Sequence, residues 1–302
     1  MIAAPHALPP ACRALEAAVA GGGVAFWTAP LLVAVALNVV VTALQIGAYA
    51  GRVAGVRTGR IGTSISLFNF FTLASRLANL VVTPALGSLA DGAAHVASCS
   101  GRIPPEFEWQ LRAIMAAGLV GAVFGTMLLP LFITLFVRGV YAFERRRSML
   151  RAVLRLFDPR VALDVVRSFR FPPPATLRAL SPRGLPLQML LGNVVVTSVY
   201  AAGVAASYFA SVIDLDARTT ATGLSGLVNG FGTVAFSFFV DPTTAYLTDQ
   251  AVKGERPVED VRRMVFWLAM TAILGWILSQ FVLVPGALFI AAGAHVFHPG
   301  HH

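Results

Sequence analysis

Asn38-Val39-Val40-Val41-Thr42 and Asn193-Val194-Val195-Val196-Thr197 are the same five residues in the same order. The landmarks downstream of each copy also match in order: Arg57-Thr58 against Arg218-Thr219, Leu67-Phe68-Asn69 against Leu227-Val228-Asn229, Pro84 against Pro242, and Leu89-Ala90-Asp91 against Leu247-Thr248-Asp249. One short match in so apolar a chain can be coincidence; an ordered series is harder to dismiss. The chain therefore reads as two halves. Each half holds three long apolar runs, and an odd number of crossings sends the second copy into the bilayer from the opposite face. The expected fold is an all-α membrane protein with six transmembrane helices, arranged as two inverted-topology three-helix repeats.

Composition supports the membrane reading. Of 302 residues 57% are hydrophobic and 12% charged, against about a quarter charged in an ordinary soluble domain. Runs of about 20 residues with almost no charge mark the spans, here 24–50, 61–89, 109–137, 187–212, 219–240 and 264–290. The fifth is weakened by Gly223, Gly226, Gly230 and Gly232 and rests on the repeat. The chain divides into an outer N-terminal segment 1–23, repeat one 24–137, a basic connection 138–186, repeat two 187–290 and a His-containing outer tail 291–302. Residues 1–23 carry a charge, paired prolines and three glycines in place of an apolar signal core, so no cleaved leader is expected there.

The net charge of +9 would point to nucleic acid in a soluble protein; here its placement points to topology, and no nucleic-acid partner is expected. Residues 51–60, 138–186 and 241–263 hold 18 of the 23 Lys and Arg. Positive charge marks the cytoplasmic side, which puts both termini outside and gives the repeats opposite orientations. Arg52, Arg57, Arg60, Arg145, Arg146 and Arg147 line the expected cytoplasmic mouth. In the basic connection apolar residues alternate with arginines at near-helical spacing, as in amphipathic helices lying on the inner leaflet. That stretch reads first as a topology anchor and second as a collector of anionic head groups.

Polar residues within the spans form stripes. Asn38, Thr42, Gln45 and Tyr49 share one face of the first helix, and Asn193, Thr197 and Tyr200 repeat that spacing on the fourth. Buried amides and hydroxyls of this kind bind membrane helices together at about 0.6–2 kcal/mol each, and that is the leading reading of both stripes. Asn69, Thr72, Arg76, Asn79 and Thr83 form a third stripe on the second helix. Arg76 is the one charge deep within an expected span, and a guanidinium there costs about 3 to more than 10 kcal/mol. Something must compensate it: helix-break carbonyls, an acid such as Asp241, or an anionic ligand in a wet cavity. The ligand is favoured, because intramembrane ionisable groups are functional by default. The fifth helix occupies the matching place in repeat two, and its glycines together with Asn229 and Pro242 lead us to expect it to bend or break. The candidate substrate site therefore lies between helices two and five near mid-membrane, drawn from Arg76, Asn69, Asn79, Asn229, Gln45, Asn38 and Asn193.

Other chemistry is missing. The sequence has no Walker loop, dinucleotide fingerprint, zinc helix or nucleophile elbow, and its acids and histidines lie outside the spans or at their margins. No catalytic residue, metal site or cofactor is expected, and any transport runs on a gradient, on product removal, or on neither. His295, His298, His301 and His302 could bind metal at the tail, but a solvated end is the leading reading. Cys12 and Cys99 fall on the outer side; a disulfide between them is geometrically possible, and the expectation is two unpaired thiols.

Two blocks resemble a known family. Tyr49-Ala50-Gly51-Arg52, Gly55-Val56-Arg57-Thr58, Ser66-Leu67-Phe68-Asn69, Ser75-Arg76, Asn79, Pro84 and Leu86 to Asp91 are similar to the Amj-type lipid II flippases (alternate to MurJ). Asp241-Pro242-Thr243-Thr244-Ala245-Tyr246-Leu247-Thr248-Asp249, with Asp260-Val261-Arg262-Arg263, resembles that family's second block. The resemblance implies a bacterial inner-membrane protein that moves undecaprenyl-linked peptidoglycan precursor, lipid II, from the inner to the outer leaflet; the two repeats add the expectation that it does so by alternating access. Family members often carry an acidic residue just before the first-helix tyrosine, where this chain has Gln45. Arg76, Asn69 and Asn79 would meet the anionic pyrophosphate, since arginine's planar fork bonds phosphate in bidentate fashion. The alternatives are a carrier of another polyprenyl phosphate or a small anion, a non-transporting scaffold of the cell-wall machinery, and a membrane enzyme acting on lipid phosphates.

Overall fold

The computed structural model describes residues 26–146, 181–182 and 184–297 together with Cys12; the side chains of Arg76 and Arg146 lie outside this description. Arg147, the connection from 147 to 180 and His298, His301 and His302 also lie outside the described residues, as does segment 1–23 apart from Cys12.

The described chain is helical: α1 (Ala29–Ala48), α2 (Ala50–Thr58), α3 (Ile61–Ser100), α4 (Pro105–Met127), α5 (Leu129–Arg146), α6 (Leu187–Ile213), α7 (Arg218–Phe239), α8 (Asp241–Val252) and α9 (Val258–Phe297). Six segments are long and apolar enough to cross a membrane: α1 with α2, α3, α4, α6, α7 with α8, and α9. The ends follow local chemistry. Thr28 caps α1, its hydroxyl accepting from the Leu31 amide at 3.4 Å with Pro30 in the first turn. Gly59 and Gly101, both at φ +66°, bracket α3, because a left-handed terminal residue favours glycine. At 40 residues each, α3 and α9 run about 60 Å, twice the roughly 30 Å hydrocarbon core, and so project beyond it.

Several sequence boundaries move. Span one does not end at 50: after a break at Tyr49 the chain re-enters a helix and continues to Thr58, taking Arg52 into the bundle. Span five runs to Val252, and its glycines do not interrupt α7; the break falls at Val240, ahead of Pro242. Pro242 lacks an amide hydrogen, so the helix restarts there with proline in its first turn. The third run separates at Leu128 into α4 and an amphipathic α5, whose Phe132, Phe136 and Val140 are buried.

The packing of the two halves matches in detail. α1 rests chiefly on α4, and α6 chiefly on α9. Asn38 Nδ2 donates to the carbonyl oxygen of Ile114 on α4 at 2.7 Å; Asn193 Nδ2 donates to that of Leu268 on α9 at 2.9 Å. Seven residues beyond each acceptor stands a glycine facing the same motif. A Cβ added at Gly275 would meet Thr197 Cβ at 2.7 Å and the Val194 carbonyl oxygen at 2.9 Å. One added at Gly121 would meet Thr42 Cβ at 3.0 Å and overlap the Val39 carbonyl oxygen. The duplicated pentapeptide is thus a helix-packing surface: its asparagine bonds a carbonyl of the partner helix, and its Val and Thr receive a bare glycine backbone. α3 and α7–α8 bury the smallest share of their apolar stretches, and α3 and α7 make no substantial contact with each other.

The two cysteines are joined. Cys12 and Cys99 form a disulfide with Cα atoms 5.4 Å apart, which corrects the expectation of free thiols. It ties the N-terminal segment to the end of α3, and spacing along the chain cannot reveal a pairing across 87 residues.

Candidate functional site

Two adjoining cavities occupy the middle of the bundle. The first, about 110 Å³, is bordered by Asn38, Thr42 and Gln45 of α1, Asn79 and Thr83 of α3, Asn229 of α7 and residues of α4, α6 and α9. The second, about 190 Å³, is lined by Gln45 of α1, Tyr49 at the break between α1 and α2, Thr72 of α3, Thr197 of α6, Thr233 and Phe236 of α7, and others. Thr42, Gln45, Tyr200 and Trp276 border both, so the cavities form one seam contributed by both halves. Trp276 is fixed from behind, its ring lying against Gly118 so closely that a Cβ there would overlap it.

The seam is polar without being charged: among the described residues that line either cavity, none is ionised at neutral pH. Thr42 Oγ1 and Asn229 Oδ1 are buried and have no hydrogen-bond partner among the described residues. Both residues border the first cavity, and unsatisfied atoms beside open space are ready for water or a ligand. Among the described residues no group of three His, Cys, Asp or Glu side chains could hold a metal ion.

The sequence-derived residues separate into groups. Gln45, Asn38, Asn79 and Asn229 come together around the first cavity. Asn193 does not join them: it is fully buried, bonded to the Leu268 carbonyl and to Thr271 Oγ1, and holds α6 to α9. Asn69 is exposed on α3, away from both cavities. At that level Leu67 is buried and Phe68, four residues before Thr72, borders the second cavity, so Asn69 falls on the outer side of α3. Arg76 stands between Thr72, which borders the second cavity, and Asn79, which borders the first. By helical register it shares their face.

Asp241 has a partner among the described residues. It accepts from Arg52 Nη2 at 2.6 Å, an ion pair between α2 and the start of α8. Arg52, expected at an open mouth, is 17% exposed and stands three residues after Tyr49, which borders the second cavity. Hydropathy hides this pair, because each member looked like the first polar residue beyond a span. Arg57, Arg60 and Arg145 are exposed, and Arg60 Nε pairs with Glu144 at 2.7 Å. Asp91 of α3 pairs with Arg218 of α7. Lys253, just past α8, donates to Asp249 at 2.7 Å, and that hydrogen bond raises its pKa above the ordinary lysine value.

A family model described as Amj, alternate to MurJ, matches residues 37–294. A lipid II flippase Amj of Bacillus subtilis (strain 168) is 31% identical over 245 residues, covering 81% of this chain and 89% of the relative. No solved structure matches.

Proposed function

The chain belongs to the Amj family, and on that premise we propose that it carries lipid II from the inner to the outer leaflet of the bacterial plasma membrane. The observation that carries this reading is the polar seam in the middle of the bundle, bordered by helices of both halves and uncharged among the described residues that line it; on this reading Arg76, which falls in the α3 sequence between Thr72 and Asn79, supplies its cation. The lipid II head group, a pyrophosphate bearing a disaccharide and peptide, needs hydrogen-bond donors and acceptors along its path and a cation for its phosphates. Asn38, Gln45, Asn79 and Asn229 supply the first, and Arg76 the second. Asn69 and Asn193 are not assigned to this path.

Cavities of about 110 and 190 Å³ are far too small for that head group, so transport on this reading requires the halves to part. The matched α1–α4 and α6–α9 contacts support an inverted repeat, with each pair moving as one body and alternating access arising as the pairs rock. α3 and α7, weakly packed and exposed to lipid, are the walls through which a head group can enter while its polyprenyl tail stays in the acyl chains. Both termini then lie outside, and the Cys12–Cys99 disulfide favours the same side, since disulfides persist in oxidising compartments.

Reconstitution into liposomes with labelled lipid II tests the reading. The protein is expected to move label between leaflets, and excess undecaprenyl phosphate to compete weakly. Movement no greater than in empty liposomes contradicts it; full competition by the simpler lipid reassigns the chain to polyprenyl phosphates at large.

A further inference from the structure

Two tiers of contact cross from one half of the chain to the other. In the tier nearer mid-membrane, Arg52 pairs with Asp241, which immediately precedes Pro242. Towards the opposite end of the bundle Tyr208 Oη donates to the carbonyl oxygen of Thr83, which immediately precedes Pro84, at 3.3 Å. Pro84 and Pro242 are matched landmarks of the duplication, so this tier is present at both ends. In the tier beyond it, Asp91 of the first copy pairs with Arg218 of the second.

Those two residues are themselves landmarks. Asp91 matches Asp249, and Arg218 matches Arg57, so the same rule applied at the other end names an Arg57–Asp249 pair. It is not made here. Asp249 is held by Lys253, and Arg57 is exposed, with Arg262 and Glu259 of α9 as its charged surroundings. Counted by these matched contacts, one end of the bundle therefore carries both tiers and the other only the inner one, although the residues for both are present.

We infer that Arg57 and Asp249 join when Asp91 and Arg218 part, making these four the positioning residues for two alternate closures of the translocation path. The inference rests on the alternating-access reading of the proposed function. Two copies of one unit can exchange conformations, and the contact made by one arginine–aspartate set in one state is then made by the other set in the next. Exposed ion pairs suit the task, since a closure that opens in every cycle must be weak.

Oxidative cross-linking tests this directly. Arg57→Cys/Asp249→Cys protein is oxidised in membranes, and the cross-linked peptide is measured by mass spectrometry with the outer pair intact or removed by Asp91→Ala/Arg218→Ala. Losing one partly exposed ion pair should raise the yield about two- to fivefold. Oxidation should also stop lipid II movement, with recovery on reduction, while a wild-type control carries the native disulfide through the same treatment. Arg57→Asp alone should slow transport, and Arg57→Asp/Asp249→Arg should restore it. A yield that does not respond to the outer pair, with single variants transporting at the wild-type rate, overturns the inference and leaves the flippase reading standing. A yield that responds in a protein that moves no lipid II sinks the flippase reading and keeps the paired closures.

Discussion

Glycines behave oppositely in two regions of this bundle. Gly121 and Gly275 sit where α4 meets α1 and α9 meets α6, each pressed against the backbone of the duplicated pentapeptide. Gly223, Gly226 and Gly230 on α7 have nothing within 4 Å of where a Cβ would stand. In the first region the small residue is an instrument of packing, and the two halves use it identically. In the second the helix is held loosely and borders polar space. The difference separates two closely packed helix pairs from a sparsely packed seam, and it is the seam that holds the cavities.

The largest test of this division is to overfill the scaffold. Gly121→Leu and Gly275→Leu force α1 from α4 or α6 from α9, beyond the roughly 1–3 kcal/mol of ordinary overpacking, and each should abolish the monodisperse folded peak in size-exclusion chromatography. If only one did, the halves would not be mechanically equivalent. Next comes Asp241→Asn, which leaves the mostly buried Arg52 charge without its counter-ion. A loss of about 2–3 kcal/mol should appear in thermal unfolding.

A smaller effect sharpens the comparison between halves. Asn38→Ala and Asn193→Ala each remove one inter-helix amide contact and should cost about 0.6–2 kcal/mol. Only Asn38→Ala should also slow lipid II movement beyond its effect on stability, because only Asn38 borders the cavity. The smallest change is expected at Gly230→Ala, where the added methyl meets open space and the helix gains up to about 1 kcal/mol. A large loss there would mean that α7 packs closely in another state.

Six spans and a recurring pentapeptide were legible because hydropathy and short exact matches are local signals. The pentapeptide was visible without disclosing its work; Gly121 and Gly275 lie far along the chain, and nothing local ties them to Asn38 or Asn193. The Asn38, Gln45, Asn79 and Asn229 positions were visible as polar residues on helix faces. Asn193 carried the same signature yet serves as a helix contact, because periodicity cannot tell a face turned to a neighbour from one turned to a cavity. Arg52–Asp241 was hidden for a related reason: a charge ends a hydropathy run whether or not a partner 189 residues away draws it inside. Asn69 shows the converse, a residue counted on the polar stripe at a level where Leu67 and Phe68 take the inward-facing places.

The central claim is that the seam between α3 and α7 handles a phosphate-bearing head group through Arg76. Its most direct test is the rate of lipid II movement in liposomes carrying Arg76→Ala protein matched to wild type in amount and in thermal unfolding. Losing a charge-assisted contact of about 1.5–3 kcal/mol should lower that rate at least about tenfold, with Arg76→Lys in between. A folded Arg76→Ala protein that moves lipid II at the wild-type rate contradicts the account.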